Sequence, residues 1–227
     1  TLSLHDALPI LTKAQQSKVI KSRWVLRQKG NSVRARIVAK GYAEEVNDND
    51  DIYASTPIFC VLRLLLTMAL TFNWIVRTGD ISTAFLHAKA ATEDLFMFPP
   101  TEFYNPEDNI VWKLNKAISG LRSSPEAWQN HLAETFQQLG MQRLTSEPNV
   151  FKTATGNAFI LVYVDDLLFL GEPTVVNKLF ADIQQQLLLR PTGDLTVGNN
   201  VNFLGRNISN KGDYYEISLA TTYATEP

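Results

Sequence analysis

The chain has 227 residues, 45% of them apolar, and a formal net charge of −2. That composition is globular, sized for one large domain or two small ones, and its overall charge argues weakly against a nucleic-acid partner. A single cysteine, Cys60, excludes an intramolecular disulfide and fits a reducing compartment, and the two most apolar stretches carry Arg63 and Asp165-Asp166, so neither reads as a membrane span.

Residues 1–10 show no clear helix or strand period and lack the basic start of a signal peptide, and residues 1–16 stay unassigned. Lys13, Lys18, Lys21, Arg23, Arg27, Lys29, Arg34, Arg36 and Lys40 then follow with no acid among them. Glu44, Glu45, Asp48, Asp50 and Asp51 follow with no base. So dense a basic block suits a polyanion, although a solvated basic face is the better explanation of a charge run taken alone. Residues 23–29 and 33–42 predict two strands joined across Gly30-Asn31-Ser32. Strand alternation puts Arg34 and Arg36 on one face, where forked guanidiniums can hold phosphate oxygens. The polar stretch 44–57 predicts a loop, Val61 to Phe72 a helix buried all round, and residues 74–78 a short strand.

Asp80 falls at the end of that strand, before a small-residue turn into a short helix capped by Ser82. A carboxylate there suits catalysis or plain capping. Residues 95–104, rich in proline and aromatics, predict an extended segment, and residues 111–114 a short strand. Ser124-Pro125-Glu126 begins a helix that Gly140 ends; with Arg122 beside it, its N-terminus suits an anion or simple capping. Residues 174–189 predict an amphipathic helix, and 201–208 with 214–219 a hairpin. His5, His87, His131 and Cys60 have no zinc-type spacing.

The stretch Phe159 to Leu170 predicts two buried strands with Asp165 and Asp166 at the tip between them. Carboxylates in apolar surroundings need compensation, and a divalent cation supplies it. The pair alone is equally an ordinary turn. With Asp80 on another strand and a basic hairpin upstream, a two-metal phosphoryl-transfer site becomes plausible.

The motifs Ser22-Arg23-Trp24-Val25, Arg34 to Tyr42, Asp80 to Leu86, Gly120-Leu121-Arg122 with Pro125-Glu126-Ala127-Trp128, Leu161 to Asp166, and Phe203-Leu204-Gly205 occur in that order. Together they resemble the reverse transcriptase domain of copia-type LTR retrotransposons. The resemblance implies an α+β right-hand polymerase over residues 17–223, with an antiparallel palm sheet backed by helices. Fingers are expected at about 17–75 and 95–120, palm at about 76–94 and 121–223, residues 224–227 as a truncated tail, and the thumb largely absent. It implies an RNA-directed DNA polymerase that extends a primer on an RNA or DNA template with deoxynucleoside triphosphates. Asp80, Asp165 and Asp166 match the catalytic carboxylates, with the Ile81 carbonyl beside them, around two Mg²⁺ ions for which Mn²⁺ substitutes. Asp165 is the bridging ligand and Asp166 the more peripheral. Arg34, Arg36 and Lys40 match residues that contact the triphosphate, Phe85 the aromatic gate under the sugar, Gly120 and Arg122 the loop along the templating pocket, and Phe203, Leu204 and Gly205 the hairpin that holds the primer. The expected setting is a larger polyprotein with integrase and RNase H, in the cytoplasm (as a virus-like particle) or the nucleus, without a membrane partner. The family's usual Lys-Gln-Ala-Pro is replaced by Arg122-Ser123-Ser124-Pro125, its Tyr-Gly by Ser119-Gly120, and its Asn-Gly turn by His87-Ala88. These departures support an alternative, a catalytically impaired remnant that folds and binds nucleic acid without useful turnover.

Overall fold

The computed structural model describes residues 19–44, 56–91, 95–103 and 110–219. The unassigned segment 1–16, the acidic run from Glu45, the loop as far as Ser55 and the tail 224–227 lie outside them. The described residues form thirteen strands and three α-helices in two compact units, residues 1–54 with 85–131 and residues 55–84 with 132–227.

In the first unit, β1 (Ser22–Lys29) and β2 (Ser32–Ala39) form the expected antiparallel hairpin around Gly30, whose φ of +57° suits a tight turn. β2 ends at Ala39, earlier than predicted, because Gly41–Ala43 turns into a 3₁₀ helix. β4 (Phe96–Met97) pairs with β5 (Trp112–Lys113), and Ile20 bridges to Met97. Ile20, Ala39, Leu95, Met97, Leu114 and Leu121 make this unit's small core. Helix α2 (Ser124–Gln138) begins here and runs as predicted, with Gly140 after it at φ +80°.

The second unit is built on a six-stranded sheet with every pair antiparallel, in the order β10-β3-β9-β8-β7-β6. β3 spans Ile75–Ile81, β6 Met141–Arg143, β7 Val150–Thr153, β8 Ala158–Tyr163, β9 Asp166–Gly171 and β10 Leu189–Asp194. Ile160, Leu161, Leu167, Leu168, Phe169 and Leu170 are fully buried, so β8 and β9 are covered on both faces, as their apolar runs required. One face packs α1 (Phe59–Thr71) through Leu62, Leu65, Leu66 and Ala69. The other packs α3 (Pro173–Gln186), where Phe180 meets Phe169 at 5.1 Å between ring centroids. β11 (Asn200–Phe203), β12 (Arg206–Asn210) and β13 (Tyr215–Leu219) form a separate antiparallel sheet whose Val201, Phe203 and Ile208 join the α1-side core.

Several expectations change. Helix α1 is buried on one face alone, with Leu64 59% and Leu70 36% exposed, because it lies on the outside of a single sheet layer. It also packs with the six-stranded sheet, although the expected finger range ran to residue 75. Residues 201–208 are two strands, since Leu204 (φ +52°) and Gly205 (φ +66°) make a two-residue turn of the mirror-image type that matches strand twist. The strands β6, β7 and β10 are additional. No described helix is long and apolar enough to cross a membrane.

Candidate active site

Three carboxylates meet at one end of the six-stranded sheet. Asp80, the penultimate residue of β3, is the cross-strand partner of Asp166, the first residue of β9. Directly opposed residues point to one face, with Cβ atoms about 4.5–5.5 Å apart. Asp166 in turn opposes Tyr163 on β8. Only Asp165 sits in the turn; the predicted tip is therefore shifted by one residue, to Val164-Asp165. The Asp165 carbonyl accepts the Ile81 N–H at 2.8 Å, tying the turn to β3, and the Ile81 side chain is fully buried.

The backbone flanking these groups is unusual. Val164 (φ +55°) and Thr83 (φ +56°) are β-branched residues in the left-handed region, a conformation costing roughly 1–2 kcal/mol. Such strain persists where surrounding contacts hold it, and it concentrates at functional sites. Ser82 and Thr83 form the turn that follows Asp80.

Burial, then repulsion from Asp165 and Asp80, raises the Asp166 carboxyl from 3.8 to about 6. A group raised on folding contributes its stability below its unfolded pKa and loses it as pH rises through the folded value. Asp166→Asn should therefore melt above the parent chain at pH 7.5 in EDTA, and the gap should close toward pH 4. Circular-dichroism melts across that range check it, and a variant that is less stable at pH 7.5 would refute the electrostatic account.

The same row of acids also tests the fit to a divalent cation. Among the described residues no three His, Cys, Asp or Glu side chains are gathered closely enough to hold a metal ion alone. Mg²⁺ prefers one or two carboxylates, with water and substrate phosphate completing its shell. An acidic row of cross-strand neighbours that repel one another fits such an ion.

The other predicted residues lie elsewhere. Arg34 and Arg36 are exposed on one face of β2, opposite Arg27 and Val25, while Val38 opposes Arg23. Arg23 and Arg27 therefore join them on a four-arginine face that the sequence reading missed, although the turn at Gly30-Asn31 fixes that register. Lys40 is half-buried just beyond β2, its N–H donating to the Lys21 carbonyl at 2.7 Å. Phe85, in the same unit, is half-buried in the 3₁₀ helix Ala84–His87. In the second unit, Phe203 is 2% exposed and Leu204-Gly205 form the β11–β12 turn.

Gly120 (φ +98°) accepts the Gly41 N–H at 3.1 Å, and the Ala39 N–H donates to the Ser119 carbonyl at 2.9 Å. Arg122 is exposed, but its backbone N–H at 2.5 Å and that of Ser123 at 3.3 Å donate to the carboxylate of Glu44, as does the Ser123 hydroxyl. The expected anion site at the start of α2 is thus filled by a buried acid from the same unit, another residue the sequence reading passed over. Nor does the Ser124 hydroxyl cap α2; it donates to the Ile118 carbonyl at 2.7 Å.

The family described as "Reverse transcriptase (RNA-dependent DNA polymerase)" matches residues 6–226. The chain belongs to this family. The retrovirus-related Pol polyprotein from transposon RE1 of Arabidopsis thaliana is 29% identical to this reverse transcriptase chain over 188 residues, 78% of the chain and 13% of the polyprotein. That from transposon RE2 of the same plant is 31% identical over 178 residues, 74% of the chain and 12% of the polyprotein. Both bear out the expected kinship with copia-type retrotransposons, and the chain spans only about an eighth of their length. The structure of a Candida albicans telomerase in complex with a fragment of telomeric RNA superposes with a TM-score of 0.55 at 10% identity. That likeness covers 93% of this chain and 47% of the telomerase, and it is one of fold.

Proposed function

We propose that this reverse transcriptase domain is an RNA-directed DNA polymerase acting as part of a larger polyprotein that carries integrase and RNase H. A primer 3′-hydroxyl attacks the α-phosphate of a deoxynucleoside triphosphate; the new O–P bond forms as the α–β bridge breaks and pyrophosphate leaves. The observation that supports it best is the acidic row, Asp80 beside Asp166 with Asp165 on the adjoining turn, where burial and the two neighbouring acids raise the Asp166 carboxyl. Asp80 and Asp165 would bridge two Mg²⁺ or Mn²⁺ ions, with Asp166 at the periphery and the Ile81 carbonyl contributing. When bound, such ions offset the charge on the attacking and leaving oxygens.

In this reading the six-stranded unit serves as palm and the hairpin unit as fingers. Arg34, Arg36 and Lys40 hold the triphosphate, Gly120 and Arg122 lie along the template, and Phe203, Leu204 and Gly205 hold the primer end. Phe85 excludes a ribose 2′-hydroxyl by bulk. Phe85→Val should therefore raise ribonucleotide incorporation about tenfold or more, since one steric clash is worth about 1–3 kcal/mol of discrimination. Unchanged sugar selectivity in a competition assay would remove Phe85 from this role.

Mg²⁺-dependent extension of a DNA primer on an RNA template tests the whole reading. Extension by the unmodified chain is expected; its absence from a chain shown by circular dichroism to be folded would overturn the polymerase. The second reading, nucleic-acid binding without turnover, draws support from the Glu44 carboxylate already seated at the start of α2.

A further inference from the structure

We infer that the end of the six-stranded sheet remote from the acids carries a docking pocket for an arginine side chain of a partner polypeptide. The inference goes beyond the polymerase reading and does not depend on it. Asp80 and Asp166 mark one end of the β3–β9 ladder; Ile75 and Gly171 close the other, where Gly171 also pairs with Ala158 of β8. The two ends are about 17 Å apart along β3. An open cavity of about 530 Å³ lies at the second end, with Met68, Phe72, Trp74, Asn157 and Glu172 in its lining, all in the same unit.

The apolar part of the lining ends a run of three rings. Phe72 packs on Trp74 at 5.1 Å between centroids, and Trp74 on Phe159 at 6.0 Å. Phe72 is 58% exposed, so the run finishes on a ring left in water. The polar part is built around Glu172. This residue precedes α3 as its N-cap, yet its side chain makes no capping hydrogen bond. Asn157 holds it instead: the Glu172 N–H donates to the Asn157 carbonyl at 3.0 Å, and the Asn157 side-chain amide donates to the Glu172 carboxylate at 3.2 Å. The Asn157 side-chain oxygen in turn accepts the hydroxyls of Thr153 at 2.8 Å and Thr155 at 2.6 Å. Those two bonds fix which way the amide faces, and the amide fixes the carboxylate.

Among the described residues Glu172 pairs with no cation, and no Lys, Arg or His lines the cavity. The lining therefore carries one negative charge and no group to hold a phosphate, which favours a cationic ligand over a nucleotide or a nucleic acid. A guanidinium both lies flat on aromatic rings and forks onto a carboxylate. Cavities of about 300–1,000 Å³ hold ligands larger than one side chain, so there is room for the backbone that bears the arginine. Arginine seated against aromatic rings is also a frequent anchor of protein interfaces.

The Trp74 indole N–H resonance of the isotope-labelled chain, assigned with Trp74→Phe, reads the site directly by NMR. The probes are acetylated, amidated Gly-Gly-Arg-Gly-Gly and the same peptide with neutral citrulline in place of arginine. The arginine peptide is expected to shift the resonance saturably, with Kd on the order of 1 mM, and the citrulline peptide to bind about fivefold more weakly or worse. Glu172→Gln, which keeps an acceptor for Asn157, and Phe72→Ala should each weaken the arginine peptide about threefold. Added salt should weaken the parent more than Glu172→Gln. Both positions are exposed, so melting temperatures should stay put, and the readout holds whether or not the chain extends primers. No saturable shift, equal affinity for the two peptides, or equal affinity of the parent and Glu172→Gln would overturn the inference. So would guanosine monophosphate binding more tightly than the arginine peptide, which would make the pocket a nucleobase site.

Discussion

Asp165→Asn is expected to abolish primer extension, lowering the rate by about 10³-fold or more, a transition-state loss of roughly 4 kcal/mol. The substitution is nearly isosteric, and the Asp165 backbone carbonyl still accepts the Ile81 N–H, so the turn keeps its attachment to β3. Removing one charge also relieves Asp166, whose carboxyl is raised in part by Asp165. The variant should therefore melt no lower than the parent at pH 7.5 in EDTA. Its thermal stabilisation by added Mg²⁺ should shrink, because a ligand that binds only the folded state stabilises in proportion to its affinity. Retained extension, or a lost fold, would remove Asp165 from the site.

Gly120→Ala is expected to destabilise the hairpin unit by about 3 kcal/mol or more. A Cβ there would collide with the Ala39 carbonyl oxygen and stand 2.5 Å from a Val38 methyl, and φ is +98° besides. Backbone on the opposing side cannot yield as a flexible side chain can. The contact is reciprocal, since a Cβ on Gly41 would meet the Gly120 carbonyl and come within 2.8 Å of the Leu121 Cα. Gly30→Ala provides the comparison: its φ is also positive, but the added atom meets nothing within 4 Å. That variant should cost only about 1 kcal/mol. Urea unfolding of the two proteins measures the difference, and equal costs would mean that the close approach of Gly41 and Gly120 does not hold the unit together.

Much of the fold was legible because it follows from local pattern. The apolar runs on either side of Asp165-Asp166 announced β8 and β9, and Ser124-Pro125 with Gly140 bracketed α2. β10 was hidden by its own composition: Pro191 and Gly193 read as breakers, yet an edge strand tolerates proline and the register shift between them absorbs the irregularity. Missing β10 also concealed the second cross-strand neighbour of Asp80, Arg190, since that relation exists only through strand pairing. β6 and β7 are too short for any alternation to show. In the site, the acids were found by residue type and order, while their exact seating was not. Local preference puts two aspartates in a turn, but pairing with Asp80 draws Asp166 into the ladder and leaves Val164 to adopt the strained geometry. Glu44 stayed invisible because its partners lie 78 and 79 residues away and nothing local signals the contact. The serines that bind Glu44 and Ile118 are the ones that depart from the family's usual loop, so those departures make bonds of their own.

Pro191 has one more consequence. β10 is the outermost strand of its sheet in hydrogen-bonding order, and exposed strand edges invite pairing with other chains. A proline offers no N–H to an incoming strand, and a neighbouring bulge spoils the regular spacing such a strand would need. The irregularity that hid β10 in the sequence thus protects the molecule from edge-to-edge aggregation.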